Sequence, residues 1–394
     1  MDSSEKSPKR ILILATVGGF LQKFELGDVQ ILQEMGWEVH YAADPDNPVY
    51  RDRFPGGGEA SETLSGVRFH PVSIDKSPYH FRVNRKACRE ILGIIREEKI
   101  SAIHCHTPVG GLLGRLAGRK TEIPVIYTAH GFHFYEGAPA ADQFIYKTAE
   151  KRLAHFTDAL VVINHEDERA ARQFRLRPGG AVYRIPGVGL DREKFRAFSE
   201  EEKQAARREL GIGEEEYFLL SAGELNENKN QETVLRALKM LQGSLNFRYG
   251  LCGEGPQRKH LEKLAGELGL EERVSFYGYC SPVQPYLAAA DAFLFPSRRE
   301  GLGMAALEAL ACGIPVIAAD SRGTREYMKD GENGFVCRWD DAQGFAEAVR
   351  KAAGLSPEER EEMRRECRAS TEPFAKEHTE EIMRDVYREH LPEY

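Results

Sequence analysis

The stretch AFLFPSRREGLGMAALEALACGIPVIAAD, residues 292–320, decides how the chain folds. It opens on a short apolar run, passes through a polar turn holding Gly301 and Gly303, and continues as a run of helix formers. Gly313 and Pro315 stop that run, and a second β-rich segment follows. Glycine just past a helix accepts the left-handed conformation, and proline soon after cannot continue the hydrogen bonding. Strand, helix and strand in so short a span predict a right-handed crossover between parallel strands.

The same alternation runs outward in both directions. Strand-length apolar runs fall at 11–15, 38–43, 101–106, 124–130 and 159–164, and again at 217–223, 247–253, 273–278, 292–297 and 315–320. Continuous β-rich runs of this kind suit strands buried on both faces of a parallel sheet. The two series are separated by IPGVGLDREKFRAFSEEEKQ, residues 185–204, where Pro186, Gly187 and Gly189 break the pattern and a charged helix begins near Ser199. The expected architecture is two doubly wound α/β domains, 1–190 and 191–372, with a last helix over 373–394 after the break at Pro373.

Composition fits this picture. Hydrophobic residues at 41% and charged residues at 29% describe an ordinary globular chain with ample core. Seven scattered cysteines form no CxxC pair, which points to reduced thiols in a cytosolic setting. KSPKR followed by ILILATVGGFL imitates a signal peptide, but the apolar run ends at Gln22-Lys23 without a small-residue cleavage site, so it reads as a buried first strand. Residues 1–190 carry a net +2 and the remainder −10, which argues against a general nucleic-acid binder.

In doubly wound sheets ligands bind beyond the carboxyl ends of the strands, so those ends carry the candidate residues. The first strand runs into Gly18-Gly19, where backbone N–H groups can approach an anion at a helix start. The pattern is not GxGxxG, and a ligand-free βα turn explains it equally well. The strand in IPVIYTAHGFHF ends at His130-Gly131, and His130 reads either as a sugar or phosphate contact or as a hydrogen-bonded loop histidine. His104, His106, His130 and His133 suggest a metal cluster, but no carboxylate pattern accompanies them and the metal reading is set aside. LCGEGP (251–256) reads as a turn, and DPD (44–46) as a loop despite its likeness to a DxD clamp. Lys229 lies just before a helix beginning near Gln231: a phosphate between them would satisfy both cation and helix start, and a solvated surface lysine is the alternative.

Glu300 and Glu308 bracket the glycine-rich turn of the opening stretch. Carboxylates touching a phosphate would repel it, whereas carboxylates gripping hydroxyls on either side of an anion would not. A ligand built as sugar, diphosphate and ribose matches that order.

With these motifs in place, the chain resembles the retaining GT-B glycosyltransferases of family 4, in the capsular and exopolysaccharide branch. The resemblance rests on Glu300 and Glu308 with seven residues between them, on LEALACGIPVIA, on GTREYMKDGENGF (323–335), and on AGELNENKN and TAHGFHFY. It implies two Rossmann-like domains, the first binding acceptor and the second nucleotide sugar, with the final helix returning to the first. It implies that Glu300 holds hydroxyls of the donor sugar and Glu308 the ribose. Backbone amides of Gly301, Leu302, Gly303 and Met304 would meet the sugar and diphosphate. Lys229 would bind the diphosphate with help from Gly18 and Gly19, and His130 would lie beside the sugar. No metal and no cofactor beyond the UDP-sugar donor is implied. Glu224 departs from the arginine many relatives carry there, leaving Lys229 alone or assisted by Arg298 or Arg299.

The function so implied is retaining transfer of a hexose or N-acetylhexosamine from a UDP-sugar to a polyprenyl-diphosphate-linked glycan, in the cytoplasm at the inner face of the plasma membrane. KSPYHFRVNRKACREILGIIREEK (76–99) is rich in cations, Lys76, Arg82, Arg85, Lys86, Arg89 and Arg96 among them, with apolar positions between, and reads either as a surface for anionic lipid or as a helix with a core face. A nucleotide-sugar 2-epimerase and a non-catalytic nucleotide-sugar binder are the competing readings.

Overall fold

A computed structural model describes residues 9–45, 66–135 and 137–392. The chain forms two compact units, Met1–Gly189 with Lys376–Tyr394, and Leu190–Ala375. In the first, seven strands form one sheet: β1 (Arg10–Val17), β2 (Glu38–Asp44), β3 (Val67–Pro71), β4 (Ala102–His106), β5 (Val125–Ala129), β6 (Ala159–Val162) and β7 (Ala181–Arg184). Their order is β3-β2-β1-β4-β5-β6-β7, all pairs parallel. The second holds β8 (Tyr217–Ala222), β9 (Phe247–Cys252), β10 (Val274–Gly278), β11 (Ala292–Phe295), β12 (Val316–Ala319) and β13 (Gly334–Cys337). Its order, β10-β9-β8-β11-β12-β13, is the doubly wound pattern in which strand order reverses between the first and fourth strands.

All ten strands expected from apolar runs are present. The central ones are buried end to end, as β4, β5, β6, β11 and β12 show. Three strands had no such signal: β3, β7 and β13. Each lies at a sheet edge and is only partly buried; β10, also an edge strand, is likewise only partly buried and is nevertheless signalled by its run at 273–278.

Helix boundaries follow local chemistry. Ser199 and Ser356 each build a capping box, with Glu202 and Glu359, and their helices run Glu200–Glu209 and Pro357–Ser370. Such caps contribute about 1 kcal/mol each. The last helix, Lys376–His390, buries Thr379, Met383, Val386 and Tyr387, a three-to-four-residue repeat that makes one apolar face. It is fastened within the first unit by Arg384 to Glu34 at 2.6 Å and by Thr379 Oγ1 to the Gly187 carbonyl at 3.2 Å. Among the described residues no helix is long and apolar enough to cross a membrane. All seven cysteines are free thiols.

Candidate functional site

β8 and β11 are neighbours at the point where strand order reverses in the second unit, and the loops leaving them are stitched together. Asn228 Nδ2 donates to the Arg299 carbonyl at 2.9 Å, and Arg298 N–H returns to the Asn228 carbonyl at 2.8 Å. Asn230, left-handed at φ 56°, donates its side-chain amide to the carbonyls of Pro296 and Trp339. Within this frame Lys229 Nζ lies 2.6 Å from Glu300 Oε1 and 5.1 Å from the centre of the Phe295 ring. The two side chains are 23% and 12% exposed, so the pair is reachable from solvent yet partly desolvated.

The turn after Glu300 delivers a helix start, Met304–Ala311. Gly303 precedes it at φ 94°, and a Cβ there would lie 2.8 Å from a Phe295 ring atom, so both backbone and space require glycine. Gly323 does the same for the turn's other side: a Cβ on it would lie 2.8 Å from backbone atoms of Leu302. No acidic residue occupies the helix's first turn, so its positive dipole end suits an anion, while the Ala306 and Leu307 N–H groups donate to the Gly303 carbonyl. Glu308 is the fifth residue of that helix, partly buried. Burial, with the Glu308 charge added, pushes the nearby Cys312 thiol up to about 12.

Two residues that the sequence did not single out complete this region. Arg322, 7% exposed, brings Nε to 3.4 Å from the Glu300 carbonyl, and Tyr327 OH lies 3.3 Å from the Gly303 carbonyl. Burial, then the Glu300 charge, holds the Tyr327 phenol well above its ordinary value. Both follow β12, a strand end in SRGTREYM that the strand-end rule marks. Arg298 is turned elsewhere, its guanidinium 4.8 Å over the Trp339 ring, and Glu224 is exposed and accepts from Asn226 Nδ2 at 3.0 Å.

The other expected residues lie in the first unit. Gly18 N–H donates to the Asp44 carbonyl at 2.9 Å, and Gly19 opens a helix of only five residues, Phe20–Phe24. His130, just past β5, is enclosed by Phe20 and His106. His104 and His106 share a face of β4 with ring centres 4.1 Å apart. The carboxylates missing from the sequence pattern are supplied by Glu25, between the first two helices, and Asp28, in the first turn of Leu26–Glu34. Burial pushes His104 down to about 3 and His130 to about 4, and raises Asp28 to about 6. His133 stands apart, its ring 5.3 Å from Tyr146. Asp46 of the DPD segment lies outside the described residues.

Two doubly wound parallel units, with a cation and a carboxylate beside a helix start at one switch point, define the class of GT-B sugar transferases. Comparison with known proteins gives the family: residues 27–186 match the glycosyl transferase 4-like domain and residues 202–370 match glycosyl transferases group 1. The chain belongs to this glycosyltransferase family. It is 36% identical over 387 residues to EpsD of Bacillus subtilis (strain 168), which carries the name of a glycosyltransferase, covering 97% of both chains. It is 26% identical over 269 residues to the UDP-Gal:alpha-D-GlcNAc-diphosphoundecaprenol alpha-1,3-galactosyltransferase of Escherichia coli, covering 67% of this chain and 69% of that one. Among solved structures, Anabaena Alr3699/HepE in complex with UDP-glucose superposes with a TM-score of 0.76 at 19% identity, over 96% of this chain and 99% of that one. Sucrose-phosphate synthase from Thermosynechococcus elongatus gives 0.77 at 21% identity, over 96% and 98%.

Proposed function

We propose that the protein is a retaining glycosyltransferase that moves a hexose or N-acetylhexosamine from a UDP-sugar to a polyprenyl-diphosphate-linked glycan in surface polysaccharide assembly. The observation that carries the reading is the 2.6 Å contact between Lys229 Nζ and Glu300 Oε1 beside the start of the Met304 helix. A diphosphate seated at that helix start takes the Lys229 charge, and Glu300 is released to grip sugar hydroxyls. The uridine donor and the lipid-linked acceptor are supported by the UDP-glucose complex of HepE and by the diphosphoundecaprenol named for the E. coli relative.

In the reaction the bond from the anomeric carbon to the diphosphate lengthens and the sugar gains oxocarbenium character. The acceptor hydroxyl enters on the same face and gives its proton to the departing phosphate oxygen. Lys229 and the amides at 301–304 stabilise the charge that develops on the leaving group. These donors supply that stabilisation without a metal on the diphosphate. Glu308 is assigned to the ribose. His130, with 22% of its side chain exposed, is assigned to a sugar hydroxyl through the ring edge that Glu25 and His106 leave open.

The acceptor lipid places the protein at the cytoplasmic face of a membrane. The Phe81–Glu97 helix supports this, because its Ile91 and Ile95 face the core while Arg82, Arg85, Lys86 and Arg89 are exposed. Tyr79 and Phe81 at its start are 60% and 72% exposed, an aromatic edge beside the cations.

The test is a panel of nucleotide sugars with purified protein and short-chain prenyl-diphosphate sugars, following released nucleoside diphosphate and the anomeric configuration of the product. The expected result is acceptor-dependent UDP release from one donor with configuration retained. Interconversion of donor sugars without acceptor, or donor binding with no turnover across the acceptor panel, overturns the proposal.

A further inference from the structure

We propose that Glu25, His106 and His130 form a binding site for a divalent transition-metal ion of the zinc class, with Asp28, His104 and Tyr387 holding the ligands in place. The geometry of three atoms carries the inference. His106 Nδ1 lies 3.2 Å from His130 Nε2 and 3.3 Å from Glu25 Oε1, and His130 Nε2 lies 3.4 Å from Glu25 Oε1. A tetrahedral ion with bonds of about 2.0–2.1 Å to nitrogen and oxygen requires its ligands to be about 3.3–3.4 Å apart. The triangle therefore has the edges of one face of such a tetrahedron.

The orientation of Glu25 is a second, independent observation. The residue is 3% exposed, and its Oε1 has no hydrogen-bond partner although two imidazole nitrogens stand within 3.4 Å. An unpaired carboxylate oxygen in such a place is costly. The cost is removed when the three atoms address a common point and a cation sits on it.

The surroundings fit a ligand shell. The Tyr387 hydroxyl bonds Asp28 and lies 2.9 Å from His104 Nδ1, and His104 Nε2 lies 2.8 Å from Thr128 Oγ1. Asp28 in turn bonds Glu25, so the C-terminal helix reaches the carboxylate ligand through two hydrogen bonds. Partners of this kind orient ligands and sharpen affinity. A cavity lined by Phe24, Glu25, Asp28, Thr128 and His130 adjoins the triangle and leaves a fourth position for water or substrate oxygen. Two imidazoles and one carboxylate select zinc, cobalt or nickel over magnesium and calcium.

The experiment uses the full chain without a histidine tag, stripped with chelator and titrated with Co²⁺. One equivalent should bind with the visible bands of tetrahedral cobalt, zinc should displace it, and magnesium and calcium should not. Glu25→Gln and His130→Ala should each weaken cobalt binding at least about tenfold, and Tyr387→Phe by about tenfold. His130 is partly exposed, so its truncation keeps the test open if Glu25→Gln fails to fold. Lys229→Ala should bind cobalt normally, which separates this proposal from the transfer reading. No bound cobalt in the wild type, or bands unchanged in both ligand variants, overturns it.

Discussion

The two units share a strand order and differ in what they do with charge at the point where that order reverses. Beyond β8 and β11, Lys229 and Glu300 keep opposite charges 2.6 Å apart in a partly exposed turn. Beyond β1, β4 and β5, Glu25, His104, His106 and His130 are enclosed, and burial drives all four toward their neutral forms. One crevice is built to meet an ionic ligand with fixed charges. The other holds latent ligands and protons, and gains charge only when something enters. Topology sets where a site forms, and the depth of the side chains sets its chemistry.

The largest effects should come from the charged crevice. Losing one preorganised donor costs roughly 3–4 kcal/mol, about 10²–10³ in rate. Lys229→Ala and Glu300→Ala should each lower kcat by that order in folded protein, with sugar transfer as the readout. Near-normal turnover in either variant would remove that residue from its role. His130→Ala removes the sugar contact assigned to it in the other unit and should lower kcat by less than Lys229→Ala; an equal loss would mean that this neutral contact counts as much in the transition state as the Lys229 charge.

A smaller effect is expected at the basic helix of the first unit, whose half of the chain carries +2 against −10 for the other. Neutralising Arg82, Arg85 and Lys86 together should weaken binding to anionic vesicles by about 1 kcal/mol per residue, measured by co-sedimentation at low salt. Unchanged binding would leave the Phe81–Glu97 helix with only its core role. Below this comes Gly303→Ala. A left-handed backbone costs an L-residue about 1–2 kcal/mol, and the new methyl group would press on Phe295. The denaturation midpoint of the second unit and its UDP affinity should both fall, and a change in neither would refute the tight turn.

How much of this was legible in the sequence follows the same division. The charged crevice could be read because its parts lie in two short segments, 223–231 and 295–308, each a strand end running into a helix. The enclosed crevice could not, because it draws Glu25, Asp28, His104, His106, His130 and Tyr387 from four distant places. The histidines stand out in the sequence, but no carboxylate pattern accompanies them there. Glu25 sits between two helices and Asp28 in the first turn of the second, in a sequence that shows no ligand spacing. Arg322 and Tyr327 were missed for a similar reason: their partners are backbone carbonyls of Glu300 and Gly303, which no side-chain pattern announces. Edge strands β3, β7 and β13 escaped while edge strand β10, likewise only partly buried, was read from its run at 273–278, so position at an edge does not by itself hide a strand.

The smallest expected effect tests the comparison by pH. Eleven of the twelve histidines lie in Met1–Gly189 and Lys376–Tyr394, and only His260 lies in the other unit. Away from the enclosed crevice, His40 Nδ1 and His70 Nε2 meet at 2.9 Å across β2 and β3 with rings stacked 5.2 Å apart. Burial lowers both below the ordinary histidine value, and each would repel the other if protonated. A histidine held neutral in the folded state favours folding above its unfolded value near 6.5, and that contribution is lost as pH falls below it. Acidification from pH 7.5 to 5 should therefore loosen the first unit ahead of the second. Peptide-level hydrogen exchange would show faster opening around β2 and β3 while β8 and β11 hold. His70→Gln should flatten the response at that edge, since it removes one titrating ring and the repulsion at once. Equal loosening of both units, or an unchanged slope in His70→Gln, would mean that the carboxylates and not the histidines set the acid limit.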